Sequence, residues 1–204
     1  MSRRSHRSDP SDEALERLRA GNARFVRGKS RFPRTCKTVL AALAKEQQPY
    51  VTILGCSDSR VPPELLFDAG FGELFVVRLA GNVFSAEVAG TLQYAGVHLR
   101  TPLFLVLGHE GCGAVQAALA AKFQDAQAPS RIELLLQSIL PGLDGVAPGL
   151  RAAERLRAGV EANVRWTIRQ ILESPEGRAR QAEGVMKVVG AVAELFTGVV
   201  RFLA

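Results

Sequence analysis

Two short segments hold the residue types from which catalysis is built. Gly55-Cys56-Ser57-Asp58-Ser59-Arg60-Val61-Pro62 sets a thiol, a carboxyl and a guanidinium at alternate positions. Some fifty residues on, Gly108-His109-Glu110-Gly111-Cys112-Gly113-Ala114 sets an imidazole three residues ahead of a second thiol. Thiolate and imidazole suit zinc, and three protein ligands leave a fourth position open for water. The His109-x-x-Cys112 spacing at the start of an expected helix lets both side chains reach one ion. The positive end of that helix also favours thiolate at Cys112. The same two cysteines fit a disulfide or a redox dithiol, and Cys36 stands outside both segments. Asp58 and Arg60, taken alone, make a local ion pair of the kind that contributes little on a surface. The glycines of 108–113 match neither G-x-G-x-x-G nor G-x-x-x-x-G-K-[ST], so no phosphate loop is expected.

Both segments follow apolar runs. Tyr50–Leu54, Leu74–Leu79 and Leu103–Leu107 are short, continuous and rich in branched or aromatic residues, which predicts strands buried on both faces. The pattern over 85–99 predicts a helix between the second and third. Alternating strand and helix argue for an α/β fold with a mainly parallel sheet and flanking helices. The chemistry then sits at the carboxyl ends of parallel strands, where open α/β sheets bind ligands. Helices are further predicted over 12–27, over Ala41–Lys45 as a short element, and over 112–122, 131–140 and 151–173. Met186–Phe196 and Val199–Leu203 read as strands turned at Thr197-Gly198, hence an antiparallel C-terminal edge strand.

The 204 residues are 47% apolar and 23% charged, which excludes wholesale disorder and is ample for a core. Three cysteines exclude a disulfide scaffold. No apolar run approaches the ~20 residues of a membrane span, and no membrane partner is expected. The net charge of +6 points at first to a polyanion. Residues 1–34, however, hold ten basic and four acidic side chains, including Arg3, Arg4, Arg7 and Arg34, so this stretch carries the whole excess. With no interleaved aromatics or motif, nucleic acid is not expected. The adjacent arginines of MSRRSHRSDP precede no apolar stretch, so no secretory signal is expected and a cytoplasmic setting follows.

CSDSR followed by GHxxCGA closely resembles the β-class carbonic anhydrases. Weaker matches extend over most of the chain: Leu18, Gly21, Asn22, Arg24 and Phe25 in the arm, Gly72–Arg78, Ala80-Gly81-Asn82, Gln93-Tyr94-Ala95 and Val189-Gly190-Ala191. The resemblance implies zinc on Cys56, His109 and Cys112. It implies reversible hydration of CO2 to bicarbonate and a proton by attack of zinc-bound hydroxide. Asp58 would accept a hydrogen bond from the zinc-bound water or hydroxide, and Arg60 would keep Asp58 ionised and off the metal. Gln47, Phe75, Tyr94 and Gly113 would contact substrate, and Tyr94 with His98, at i, i+4, would form a proton path.

Some of these groups come from a neighbouring subunit in the family, so a homodimer or homotetramer is implied. Residues 1–35 would form a helical arm that packs on that subunit, and 36–204 the zinc-binding catalytic domain. Some members carry a regulatory bicarbonate pocket bordered by a tryptophan and a tyrosine. Ile53 and Ala193 stand there in this chain, which argues against such regulation. A CS2 or COS hydrolase on the same fold is the nearest alternative activity. A non-catalytic zinc-binding module or redox dithiol protein is the alternative from another class.

Overall fold

The computed structural model describes residues 9–31 and 36–203. Arg3, Arg4, Arg7 and Arg34 of the basic arm lie outside the described residues. Helix α1 (Pro10–Val26) is capped by Asp9, whose carboxylate accepts from the Ser11 N–H at 2.8 Å. A short α2 (Lys37–Ala42) leads to β1 (Val51–Gly55), then α3 (Pro63–Leu66), β2 (Leu74–Arg78) and a 3-10 turn at Ala80–Asn82. Next come α4 (Ala86–Tyr94), a π-helical turn over Ala95–Leu99, β3 (Leu103–His109), α5 (Gly113–Gln124) and α6 (Ser130–Ile139). The long α7 (Ala152–Glu173), α8 (Pro175–Ala182), β4 (Lys187–Ala193) and β5 (Val200–Phe202) complete the order.

The sheet order is β2-β1-β3-β4-β5, parallel except for the antiparallel β4–β5 pair. This is the predicted α/β class with its antiparallel edge. Side chains alternate across the strands and so split the core in two. Val51, Ile53, Leu103 and Leu105 pack with Ala14, Leu15 and Leu18 of α1 and Leu66 of α3. Leu54, Phe104 and Val106 pack on the other face with α4, α5, α6 and α7. The buried side of α1 is therefore used against its own chain.

Four expectations shift. The short helix runs four residues earlier than Ala41–Lys45, with Cys36 at its N-cap. The long helix predicted over 85–99 is α-helical only to Tyr94 and then widens into the π-helical turn. β2 is half-buried along its whole length rather than buried on both faces, because it is an edge strand. The β4–β5 connection spans residues 194–199 rather than Thr197-Gly198 alone. There the Leu195 N–H donates to the Glu110 carboxylate at 3.3 Å instead of joining a ladder, and Phe196 is left 99% exposed.

Candidate metal centre and active site

Parallel register brings the two motif segments together. Gly55 is level with Leu107 on neighbouring central strands. Cys56 thus leaves β1 beside Gly108, one residue short of His109, the last residue of β3. Cys56 continues the alternation of Leu54 and joins the core cluster on the α5–α7 face. After His109 the chain must reverse within two residues, and Gly111 does so at φ 64°, a left-handed conformation that favours glycine. Cys112 is then the N-cap of α5. One ligand atom from each of Cys56, His109 and Cys112 lies within 4.8 Å of the others, and all three residues are buried. The cysteines are free thiols, so the pair is not a disulfide.

The donor set fits zinc on its own chemistry. His109 Nδ1 bonds the Glu110 carbonyl at 2.8 Å and therefore carries the proton, which leaves the Nε2 lone pair for a ligand. Nε2 is buried with no hydrogen-bond partner. Leaving a buried polar atom unsatisfied costs about 1–3 kcal/mol, which a bound cation removes. The two sulfurs interact closely enough to share one proton. Hydrogen bonding from Cys112 draws the Cys56 thiol far down, with further help from the Gly81 N–H. The neighbouring Cys56 sulfur and burial push Cys112 up. Burial opposes a proton on His109, but the Cys56 sulfur, the Glu110 carbonyl and Asp58 outweigh it and raise its pKa. Cys56 thus carries the charge of the sulfur pair, while Cys112 keeps its proton, unlike the thiolate expected there from the helix end alone.

Asp58 and Arg60 form a bidentate pair. Arg60 donates from its backbone N–H at 3.0 Å and from Nε at 2.9 Å to Asp58 Oδ1, and from Nη2 at 2.6 Å to Oδ2. Arg60's side-chain hydrogen bonds hold the Asp58 carboxyl well below the usual carboxylate range. Oδ2 lies 3.8 Å from His109 Nε2, at the edge of the donor cluster. An ionised carboxylate offers about four lone-pair sites. Arg60 fills three, two of them on Oδ1, so the free one is on the oxygen nearest the cluster. Arg78 braces the loop from below, donating to the Cys56 carbonyl at 2.8 Å and the Asp58 carbonyl at 2.5 Å.

The remaining expected site residues divide. Gly113, the first residue of α5, directly follows Cys112. The rings of Phe75 and Tyr94 lie 6.1 Å apart, and those of Tyr94 and His98 4.9 Å apart. Gln47, Tyr94 and His98 line one open surface depression. None of the three clustered donors lines that depression. Phe75 pairs with Thr52, four residues before Cys56, which is about 13 Å along the strand at ~3.3 Å per residue. Arg78, Gly81 and Glu110 stand out in the sequence only as parts of motifs. Asn163 and Thr167 belong to no motif. Their one signal is polarity on a helix face otherwise made of Val160, Val164 and Ile171.

Comparisons with known proteins agree with this geometry. The sequence model of the family described as "Carbonic anhydrase" matches residues 51–200. The chain is 36% identical over 187 residues to carbonic anhydrase 2 of Mycobacterium tuberculosis (strain ATCC 25618 / H37Rv), covering 91% of this chain and 89% of that one. It is 37% identical over 188 residues to a carbonic anhydrase of Mycolicibacterium smegmatis, with the same coverage. Among solved structures, a β-carbonic anhydrase from Coccomyxa in complex with acetazolamide superposes with a TM-score of 0.74 at 30% identity, over 94% of this chain and 85% of that one. A tetrameric β-carbonic anhydrase from Sordaria macrospora shares the fold at the same TM-score and 23% identity, over 94% and 98%. With family, relatives and fold in agreement around a Cys–His–Cys donor set, the chain belongs to the β-class carbonic anhydrases.

Proposed function

We propose that this chain hydrates CO2 reversibly to bicarbonate and a proton, with zinc held by Cys56, His109 and Cys112. Zinc, when bound there, would supply the Lewis acidity that lowers the pKa of a water toward neutrality. The observation that carries the proposal is the single free lone pair of Asp58 on Oδ2, beside the donor cluster. Because Asp58 stays ionised, it accepts a hydrogen bond and never donates one. It thereby turns the proton of the attacking oxygen toward itself and a lone pair toward CO2. Arg60 anchors the carboxylate at the cluster's edge, and Gly113 supplies a helix N-terminal N–H for a substrate oxygen. A structural zinc normally takes four protein ligands, and the only carboxylate beside these three among the described residues is engaged by Arg60. This favours a catalytic over a structural metal. The test is zinc-dependent acceleration of CO2 hydration, followed with a pH indicator.

The substrate-facing group Gln47, Phe75 and Tyr94 belongs, on this reading, to the site of a second copy. Three features support a shared site. Phe75 pairs with Thr52, about 13 Å along the strand from Cys56, Tyr94 is 47% exposed, and β2 is a half-buried edge strand. The assembly is a homodimer, or a homotetramer built from two such dimers, with exposed His98 leading protons from Tyr94 to solvent. Chains carrying Asp58→Ala and Tyr94→Ala should each be weak alone. Co-refolded in equal amounts, they should recover about a quarter of wild-type activity, because half the dimers are mixed and each has one intact site. No recovery would place Tyr94 in the site of its own chain.

A further inference from the structure

Cys56 is held by the segment that follows β2. The Leu79 N–H donates to the Gly55 carbonyl at 3.1 Å and the Leu79 carbonyl accepts from the Ser57 N–H at 3.2 Å, so Cys56 is bracketed on both sides. Two residues on, the Gly81 N–H donates to Cys56 Sγ at 3.4 Å. The turn that aims this N–H is not one the chain prefers, since Gly81 and Asn82 take φ of 70° and 45° in succession. A Cβ on Gly81 would lie 2.8 Å from Ile139 Cδ1 and 3.1 Å from Ala114 Cβ, so the turn is wedged between α5 and α6.

What fixes the turn comes from α7. Asn163 Nδ2 donates to the Gly81 carbonyl at 2.8 Å, and Thr167 Oγ1 donates to the Asn82 carbonyl at 3.2 Å. Both residues are 1% exposed and one helical turn apart. Their neighbours on that face, Val160, Val164 and Ile171, are apolar core. A buried amide or hydroxyl is unfavourable at such a position unless it is hydrogen-bonded, and the hydrogen bonds made here are to the two left-handed residues.

We propose that Asn163 and Thr167 are positioning residues for the metal centre. They lock the Ala80–Asn82 turn so that the Gly81 N–H orients the Cys56 sulfur and withdraws charge from it. Outer partners of this kind typically change metal affinity 10–100-fold. The inference rests on Cys56, His109 and Cys112 being the zinc ligands.

The test compares zinc-loaded wild-type chain with Asn163→Leu, Thr167→Val and Ile171→Ala. Ile171 is a buried α7 residue whose apolar side chain cannot hydrogen-bond the turn, so its variant controls for stability alone. Chelator competition should show zinc affinity about 10–100-fold weaker in Asn163→Leu, with a smaller loss in Thr167→Val. The cobalt-substituted Asn163→Leu chain should show a shifted thiolate-to-metal charge-transfer band. Ile171→Ala should lower the melting temperature while leaving zinc affinity and the cobalt band unchanged. Wild-type affinity and an unshifted band in Asn163→Leu would overturn the inference while leaving the ligand assignment intact. Equal weakening in Ile171→Ala would also overturn it. If Asn163→Leu does not fold, Thr167→Val decides by the same two readouts. Absence of zinc binding by the wild-type chain would overturn both the inference and the ligand assignment.

Discussion

Cys112→Ala is expected to remove the metal. Zinc content should fall from about one per chain to near zero after exposure to a mild chelator, and CO2 hydration should fall to the buffer rate. The reasoning is geometric. Cys112 supplies one of three donors within 4.8 Å, and the two left, Cys56 and His109, cannot hold the ion against a competitor. Loss of one buried sulfur at a helix N-cap costs the fold little beside this, so the far-ultraviolet spectrum should be unchanged. Elemental analysis after desalting checks the result. Stoichiometric zinc in a folded Cys112→Ala chain would remove Cys112 from the ligand set.

Asp58→Ala should do the opposite. Zinc stays at about one per chain, and CO2 hydration falls by ~10²-fold or more, the usual scale for losing one oriented group at a reacting centre. Asp58 is not among the three grouped donors, and its carboxylate is committed to Arg60 apart from the lone pair on Oδ2. Arg60 keeps Asp58 ionised well into the acid range, so the residue does not titrate near neutrality. The ratio of wild-type to variant rates should therefore be flat across neutral and alkaline pH. A ratio that collapses as pH rises would show that Asp58 acts by titrating. An unchanged rate would remove its role.

The parts of this account differ in how far the linear sequence disclosed them. The sheet was legible because β1 and β3 are continuous apolar runs ending in motif residues, and parallel register then dictates that Cys56 and His109 meet. Apolarity could not separate β2 from them. Phe75, Val76 and Val77 read like a central strand, and only topology makes β2 an edge. The C-terminal hairpin was misplaced because a side chain 85 positions away, Glu110, takes the Leu195 N–H. Phe75 stands near the start of β2, level with Thr52, and spacing in the sequence carries no information about which end of the sheet a residue occupies. The Asn163 contact joins residues 82 positions apart. It shows in the sequence only as a polar interruption of an apolar helix face.

The central claim is that this metal centre acts on CO2, and related chemistry on COS or CS2 would use the same donors. The deciding measurement is stopped-flow hydration of CO2 by the zinc-loaded chain across neutral to alkaline pH, with COS and CS2 assayed in parallel. The account predicts rapid CO2 hydration that rises with pH and disappears on chelation, with COS and CS2 turned over far more slowly. A zinc-loaded chain that leaves CO2 at the buffer rate while hydrolysing COS or CS2 would contradict it.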